Sequence, residues 1–334
     1  MTTLMIGQQD VRDLLPMGEC MDVMAQTLTA LSSGQAILPL RNIMWLPERV
    51  GALGSMPAYL SGINVMGLKV ISVFPGNHGT EFDSHIGAVL LYETTHGQLI
   101  AIVDASEITA IRTAAVSGVA TRALARESAG DLTIMGAGVQ GATHLAAMLD
   151  ARDLRRVRVW SRDPEHARAF AVRESQRHAI DIEPIADARL AVAGADLICT
   201  TTSAPTPVLE GAWLQPGVHI NAVGSSTPIA RELDTAAVAA ATLIVDRRES
   251  ALNEAGDFLL AKAEGAIDDD HICGELGDVL LGTVPGRRGD DEITLFKSLG
   301  LAVEDVAAAH HVYVKAQARA LGVPITLGGV RDHS

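Results

Sequence analysis

Cationic side chains interrupt otherwise apolar stretches of this chain, and they define the chemistry to be explained. Lys69 stands within Gly67-Leu68-Lys69-Val70-Ile71-Ser72-Val73-Phe74, a run that otherwise reads as a buried strand. A buried ammonium is costly unless paired and gives up its proton readily, which suits proton transfer. A lysine snorkelling from an edge strand would leave the same pattern. Arg112 closes Glu107-Ile108-Thr109-Ala110-Ile111-Arg112, where the texture of the sequence changes. A guanidinium there can hold a carboxylate or phosphate, or make an interdomain ion pair. Arg41 follows Pro39-Leu40 and precedes a strand, and by itself carries little weight. His85, after Asp83-Ser84, is a proton donor, a cofactor contact or a structural histidine, and an isolated histidine is most simply the last.

A second constellation is Gly136-Ala137-Gly138-Val139-Gln140-Gly141, flanked by a short apolar strand (131–135) and an amphipathic helical run. GxGxxG at a strand-to-helix turn is a dinucleotide-phosphate cradle. Gly136 allows the tight turn, Gly138 lets the backbone approach the pyrophosphate, and Gly141 lets helix and strand pack closely. Free N–H groups at the helix start then face the phosphates. The next strand, Arg156–Trp160, leads to Ser161-Arg162-Asp163. Ser161 fills the slot where an acid would bind the ribose of NAD, and Arg162 can clamp a 2′-phosphate. NADP is therefore favoured, with NAD possible should Asp163 serve the ribose instead.

Two textures surround these motifs. In residues 1–112 a helix is expected over Val11–Leu31, then strands at Asn42–Leu46, Gly51–Tyr59, Gly67–Phe74, Ile86–Tyr92 and Leu99–Asp104. Thr94-Thr95-His96-Gly97 reads as the turn of a hairpin. This half is expected to be an α+β domain with an antiparallel sheet. From Thr113 a helix and then alternating strands and helices imply a parallel sheet wrapped by helices, a Rossmann-type doubly wound α/β domain over 113–304. The helical run Val303–Leu321 is expected to return to the first domain, which 305–334 would complete.

Bulk properties narrow the partners. With 334 residues the chain is long for one core, so two domains are natural. A formal net charge of −14 argues against nucleic acid or an anionic membrane as partner. Three scattered cysteines make neither a disulfide framework nor a zinc site, so no metal is expected. The first residues lack a basic segment followed by an apolar run, and no stretch is long enough to span a bilayer. A cytoplasmic protein is expected.

Taken together these residues resemble the ornithine cyclodeaminase/mu-crystallin family, from about 35 to 310. The matching segments are Gly54–Tyr59, Gly67-Leu68-Lys69, Ser84-His85, Ile108–Ser117, Gly136–Gln140, His219–Gly224 and Thr294–Gly300. The resemblance implies a homodimer formed through the antiparallel sheet, and an active site in the cleft between the domains. It also implies that Arg41 and Arg112 hold a substrate carboxylate and that Lys69 is carboxylate ligand or proton donor. Thr113, Ser84 and His85 would lie near the nicotinamide or its phosphates. Val223, Phe296, Ser298 and Gly300 would complete the cofactor site.

One departure bears on the reaction. Cyclodeaminases of the family carry an aspartate just after the His-Ile-Asn-Ala-Val-Gly strand, whereas here Ser226 takes that position in Gly224-Ser225-Ser226-Thr227-Pro228. A serine hydroxyl is no base near neutral pH and offers no charge to an ammonium group. The mu-crystallin branch, which reduces cyclic ketimines, also has serine there. The expected activity is therefore NAD(P)H-dependent reduction of a small cyclic imino acid such as Δ1-pyrroline-2-carboxylate or Δ1-piperideine-2-carboxylate, with Ser226 near the substrate. The rival readings are an amino-acid dehydrogenase acting on an acyclic 2-oxo acid or imine, ornithine cyclodeamination, and a non-enzymatic cofactor-binding carrier.

Overall fold

The structure, a computed structural model, describes residues 2–77 and 80–327. The chain forms two compact units, Met1–Arg112 with Leu301–Ser334, and Thr113–Gly300. Residues 328–334, which the sequence analysis assigned to the first domain, lie outside the described residues.

The first unit opens with β1 (Thr3–Ile6), α1 (Gln8–Leu14) and α2 (Met17–Ser32). The single helix expected over 11–31 is thus two. Pro16 has no N–H to continue a helix and takes an extended ψ of 146°, so α2 starts afresh after it. There follow β2 (Ala36–Ile37), β3 (Asn42–Trp45), β4 (Ala52–Leu60), β5 (Val65–Val73), β6 (His85–Glu93) and β7 (Leu99–Asp104). The β6–β7 hairpin closes as its turn chemistry requires. Gly97 has φ +71°, and the Glu93 carboxylate accepts from the N–H groups of Thr95, His96 and Gln98. The next helix, α3 (Ala105–Leu124), begins well before the expected Thr113 and runs through the division between the units. Asp104 starts it by accepting the Glu107 N–H at 2.8 Å.

The second unit alternates strand and helix: β8 (Asp131–Met135), α4 (Val139–Ala151), β9 (Arg156–Trp160), α5 (Pro164–His178), β10 (Ile182–Pro184), α6 (Ala188–Val192) and β11 (Leu197–Thr200). It continues through β12 (His219–Ala222), α7 (Thr235–Ala240), β13 (Thr242–Val245), α8 (Arg248–Glu254), α9 (Gly256–Ala263), β14 (Ile272–Glu275), α10 (Leu276–Leu280) and β15 (Thr294–Lys297). The strands lie in the order β10-β9-β8-β11-β12-β15-β13-β14, every pairing parallel. β11, β12 and β15 are buried at every residue, as a sheet covered on both faces demands. The order reverses between β8 and β11, the switch point at which such sheets take nucleotides.

The chain then returns with α11 (Ala302–Arg319) and β16 (Val323–Ile325) to complete the first unit. Its sheet runs β16-β1-β7-β6-β5-β4, with β2 and β3 both pairing to β4. It is mixed, not purely antiparallel as expected, because β1 enters beside β7 in the same direction. Across it Met56, Lys69, Val89 and Val103 stand opposite one another in one row. Helix α11 packs on β4, β5 and β6, and its residues 302–309 are all buried. Gly67 makes this approach possible: a Cβ there would meet Val306 Cγ2 at 2.6 Å and Leu90 O at 3.0 Å. Among the described residues no helix is long and apolar enough to cross a membrane.

Candidate active site

Lys69 points from β5 into the buried row and is 2% exposed. Strand alternation places it on the same face as Gly67, so the helix that Gly67 admits brings its own side chains over the ammonium. Asp305 on α11 receives it: Lys69 Nζ donates to Asp305 Oδ1 at 3.1 Å. Arg112 on α3 donates Nε–H to that same Oδ1 at 2.8 Å and Nη1–H to Glu304 Oε2 at 2.7 Å. Glu304 also accepts the Leu301 N–H at 3.1 Å, capping α11. Burial pushes the Lys69 ammonium down to about 8, the Asp305 carboxylate opposes this, and the positive charges of Arg112 and Arg41 add to it. Arg41 lies one position before β3, near enough for its charge to act on Lys69. All three expected cations therefore converge within the first unit.

The carboxylates of this cluster, Glu304 and Asp305, were not singled out from the sequence. They occupy the first turn of a helix, where acids are common and usually solvated. The missed signal is the company they keep, since Ala302-Val303 and Val306-Ala307-Ala308-Ala309 leave that turn no polar face. Two acids with apolar residues on every side of a helix need cations, and Lys69 and Arg112 were the cations in want of acids.

In the second unit Gly136, Gly138, Val139 and Gln140 join β8 to α4. Gly136 has φ +120°, and a Cβ on it would meet Thr201 O at 2.8 Å. A Cβ on Gly141 would meet Gly136 O at 2.1 Å, so helix and turn touch backbone to backbone. At Gly138 a Cβ would find no heavy atom within 4 Å. This open side of the turn, at the start of a helix of 13 residues, fits a pyrophosphate held by backbone N–H groups. The turn is anchored from below: His144 donates Nδ1–H to Gln140 O at 2.7 Å, and its Nε2 meets Ser117 Oγ at 2.9 Å. At the end of β9, Ser161 is half-buried and Arg162 exposed. The Asp163 carboxylate caps α5 by accepting the Glu165 N–H at 2.9 Å, which commits it locally.

The remaining expected residues divide. Ser84 Oγ and His85 Nδ1 lie 2.9 Å apart, and His85 is exposed. His85 pairs with Val73 whereas Lys69 pairs with Val89, so about 13 Å of strand separates His85 from the lysine. The structure does not bring them together. Thr113 follows Arg112 on α3 and is buried. Val223 and Ser226 are half-buried in the loop after β12. That loop is held by Gly224 N–H donating to Glu232 at 2.6 Å and by Ser225 Oγ donating to Ala230 O. Phe296 is fully buried, Ser298 is 2% exposed, and Gly300 has φ +78° with its N–H on Asp246 Oδ2 at 2.8 Å.

Comparison with known proteins bears on the whole chain. The model of the ornithine cyclodeaminase/mu-crystallin family matches residues 1–320. The ketimine reductase mu-crystallin of Mus musculus is 40% identical over 280 residues, 84% of this chain and 85% of that protein. The solved structure of Thermococcus litoralis Δ1-pyrroline-2-carboxylate reductase in complex with NADH and L-proline superposes with a TM-score of 0.95 at 36% identity, covering 97% of this chain and 100% of that one. An archaeal alanine dehydrogenase dimer with bound NAD gives a TM-score of 0.93 at 30% identity, covering 98% and 100%. This protein belongs to the ornithine cyclodeaminase/mu-crystallin family.

Proposed function

We propose that the protein is an NAD(P)-dependent oxidoreductase that reduces a small cyclic imino acid, such as Δ1-pyrroline-2-carboxylate or Δ1-piperideine-2-carboxylate, to the L-amino acid. The observation that carries this reading is the buried Lys69 ammonium. It has three N–H donors, and among the described residues it spends one hydrogen bond, on Asp305. A donor group so enclosed needs further acceptors, and an imino acid supplies them in its carboxylate and ring nitrogen. Arg112 and Arg41 bind the carboxylate and fix the orientation of the imine carbon. Lys69 supplies the proton that the nitrogen gains. A bound reduced nicotinamide supplies the hydride, and the cradle at Gly136, Gly138, Val139 and Gln140 with Ser161 and Arg162 would hold it. The committed carboxylate of Asp163 and the exposed Arg162 favour NADP. Ser226 brings no carboxylate to the loop after β12, which disfavours ammonia release from ornithine.

We assign substrate binding and self-association to the first unit and nucleotide binding to the second. The outer face of the first sheet supports a homodimer. Met44, Leu53, Ser72 and Ile86 form one row across β3 to β6, and Met44, Leu53 and Ile86 are 55%, 40% and 49% exposed. The free thiols of Cys20, Cys199 and Cys273 suit a reducing cytoplasm.

The test is consumption of NADPH and NADH with both cyclic imino acids, with pyruvate plus ammonia, and with ornithine. Turnover of a cyclic imino acid well above that of the acyclic pair is expected. Reduction of the acyclic pair alone would replace this reading with an amino-acid dehydrogenase. Ammonia released from ornithine without net NADH would replace it with a lyase.

A further inference from the structure

We propose that Asp305 is a positioning residue for this reaction, holding Lys69 as an ammonium ion aimed at the substrate nitrogen. The inference rests on the imine-reduction reading and adds a residue to it. Asp305 is fully buried on a helix turn enclosed by alanine and valine, where an apolar side chain would pack without any need for a partner. The helix itself does not require it, because Glu304 already accepts the Leu301 N–H and an Arg112 N–H. Its hydrogen bonds run to Lys69 Nζ and Arg112 Nε, both on Oδ1, while Oδ2 accepts none from a described residue. One oxygen shared by two cations sets the direction of both. Gly67, two positions from Lys69 on the same strand face, is what lets α11 come close enough for this.

The chemistry explains why a carboxylate is useful there. As hydride reaches the imine carbon, the C=N π electrons become a nitrogen lone pair, which takes a proton from Lys69 Nζ. The N–H bond of the ammonium breaks, leaving a neutral amine that solvent must reprotonate for the next turnover. Among groups facing the amine, Arg112 on α3 and Arg41 before β3 oppose that reprotonation, and β4 and β6 contribute only Met56 and Val89. On α11, Glu304 acts chiefly on Arg112, so the directly bonded anion is Asp305. Its charge restores the proton, and its position returns the ammonium to the same direction.

The experiment uses the scarcity of lysine: the chain contains Lys69, Lys262, Lys297 and Lys315 and no other. With [ε-13C]lysine in the whole protein, the Lys69 resonance is assigned from Lys69→Arg and titrated directly. Asp305→Asn is expected to lower the Lys69 midpoint by about 1–3 pH units, and the alkaline limb of kcat should move with it. Glu304→Gln should raise KM for the imino acid and move the midpoint less. An unmoved Lys69 midpoint in Asp305→Asn, or a moved midpoint with an unmoved kcat limb, would overturn the assignment. If Asp305→Asn does not fold, Asp305→Glu decides. The longer carboxylate keeps the charge but displaces the ammonium, so kcat should fall about tenfold or more with the midpoint retained, and an unchanged kcat overturns the proposal. Failure of the reaction reading looks different: the native protein would reduce no cyclic imino acid, whatever Lys69 does.

Discussion

Lys69 Nζ and Asp305 Oδ1 lie 3.1 Å apart, with side-chain exposures of 3% and 0%, and this ion pair couples catalysis and stability to pH in opposite senses. Burial lowers the folded-state pKa of Lys69 from 10.5 to about 8. Below about 8 the ammonium exists in folded and unfolded chains alike. Between about 8 and 10.5 the unfolded chain keeps a proton that the folded chain has released, so the Lys69 contribution to stability rises with pH, by at most about 1.4 kcal/mol per pH unit. Turnover that needs the ammonium falls over the same window. Urea unfolding of the native protein and of Lys69→Met should therefore diverge in favour of the native chain as pH rises, while native kcat declines. A stability difference that stays flat from pH 7.5 to 10 would show that Lys69 is not held at a lowered pKa.

The glycines of the nucleotide turn are not interchangeable, and two substitutions separate binding from folding. A Cβ at Gly138 meets open space, and its φ of −93° suits any L residue. Gly138→Ala should change stability by less than about 0.5 kcal/mol yet weaken cofactor binding about tenfold, because under the proposed reading the methyl group would occupy the side where a pyrophosphate approaches. Gly141→Ala drives its Cβ into Gly136 O and should cost about 1–3 kcal/mol of stability. Thermal unfolding and a cofactor fluorescence titration read the two effects separately. Full cofactor affinity in Gly138→Ala would place the phosphates elsewhere.

What could be read in advance follows from where each signal resides. The strand, glycine turn and helix at 131–151 were legible because they are contiguous, so local periodicity frames the motif. Lys69 and Arg112 stood out because each is a charge inside an apolar run. Their partners did not, since Lys69–Asp305 and Arg112–Glu304 span most of the chain and no local spacing links them. The break at Pro16 was visible in the residue itself, and an unbroken apolar period masked it. The early start of α3 rests on the Asp104 cap, in a segment whose β-branched residues look equally suited to strand. β16 is a short edge strand and β1 the short strand inside it, and they acquire their identity only by pairing with each other and, for β1, with β7.

Cofactor choice should respond to a single residue. Asp163 caps the start of α5 and carries the wrong charge for a phosphate, so the exposed Arg162 is the cation at the β9 corner that can meet a 2′-phosphate. Arg162→Ser should raise KM for NADPH about 10–100-fold, the value of one or two charge-assisted hydrogen bonds, and leave KM for NADH within about twofold. Steady-state kinetics with both cofactors gives the ratio directly. Equal effects on the two would mean that the guanidinium serves a group they share, such as the pyrophosphate.

The outer face of the first sheet yields a prediction about assembly. Leu53 and Ile86 stand in register on either side of Ser72, both well exposed, and Met44 extends the row on β3. Exposed large apolar side chains in one row of a sheet face are costly in water, and a second copy of the same face would remove them from solvent. A two-fold axis makes such a surface self-complementary, so one substitution acts twice in each dimer. Leu53→Lys with Ile86→Lys should convert a dimer to a monomer in sedimentation velocity at micromolar concentration. The opposite face, with Lys69, Asp305 and Arg112, is untouched by these changes, so the midpoint of Lys69 in the [ε-13C]lysine titration should persist in the monomer. A native protein that sediments as a monomer would remove self-association from this face and leave the strip without an occupant.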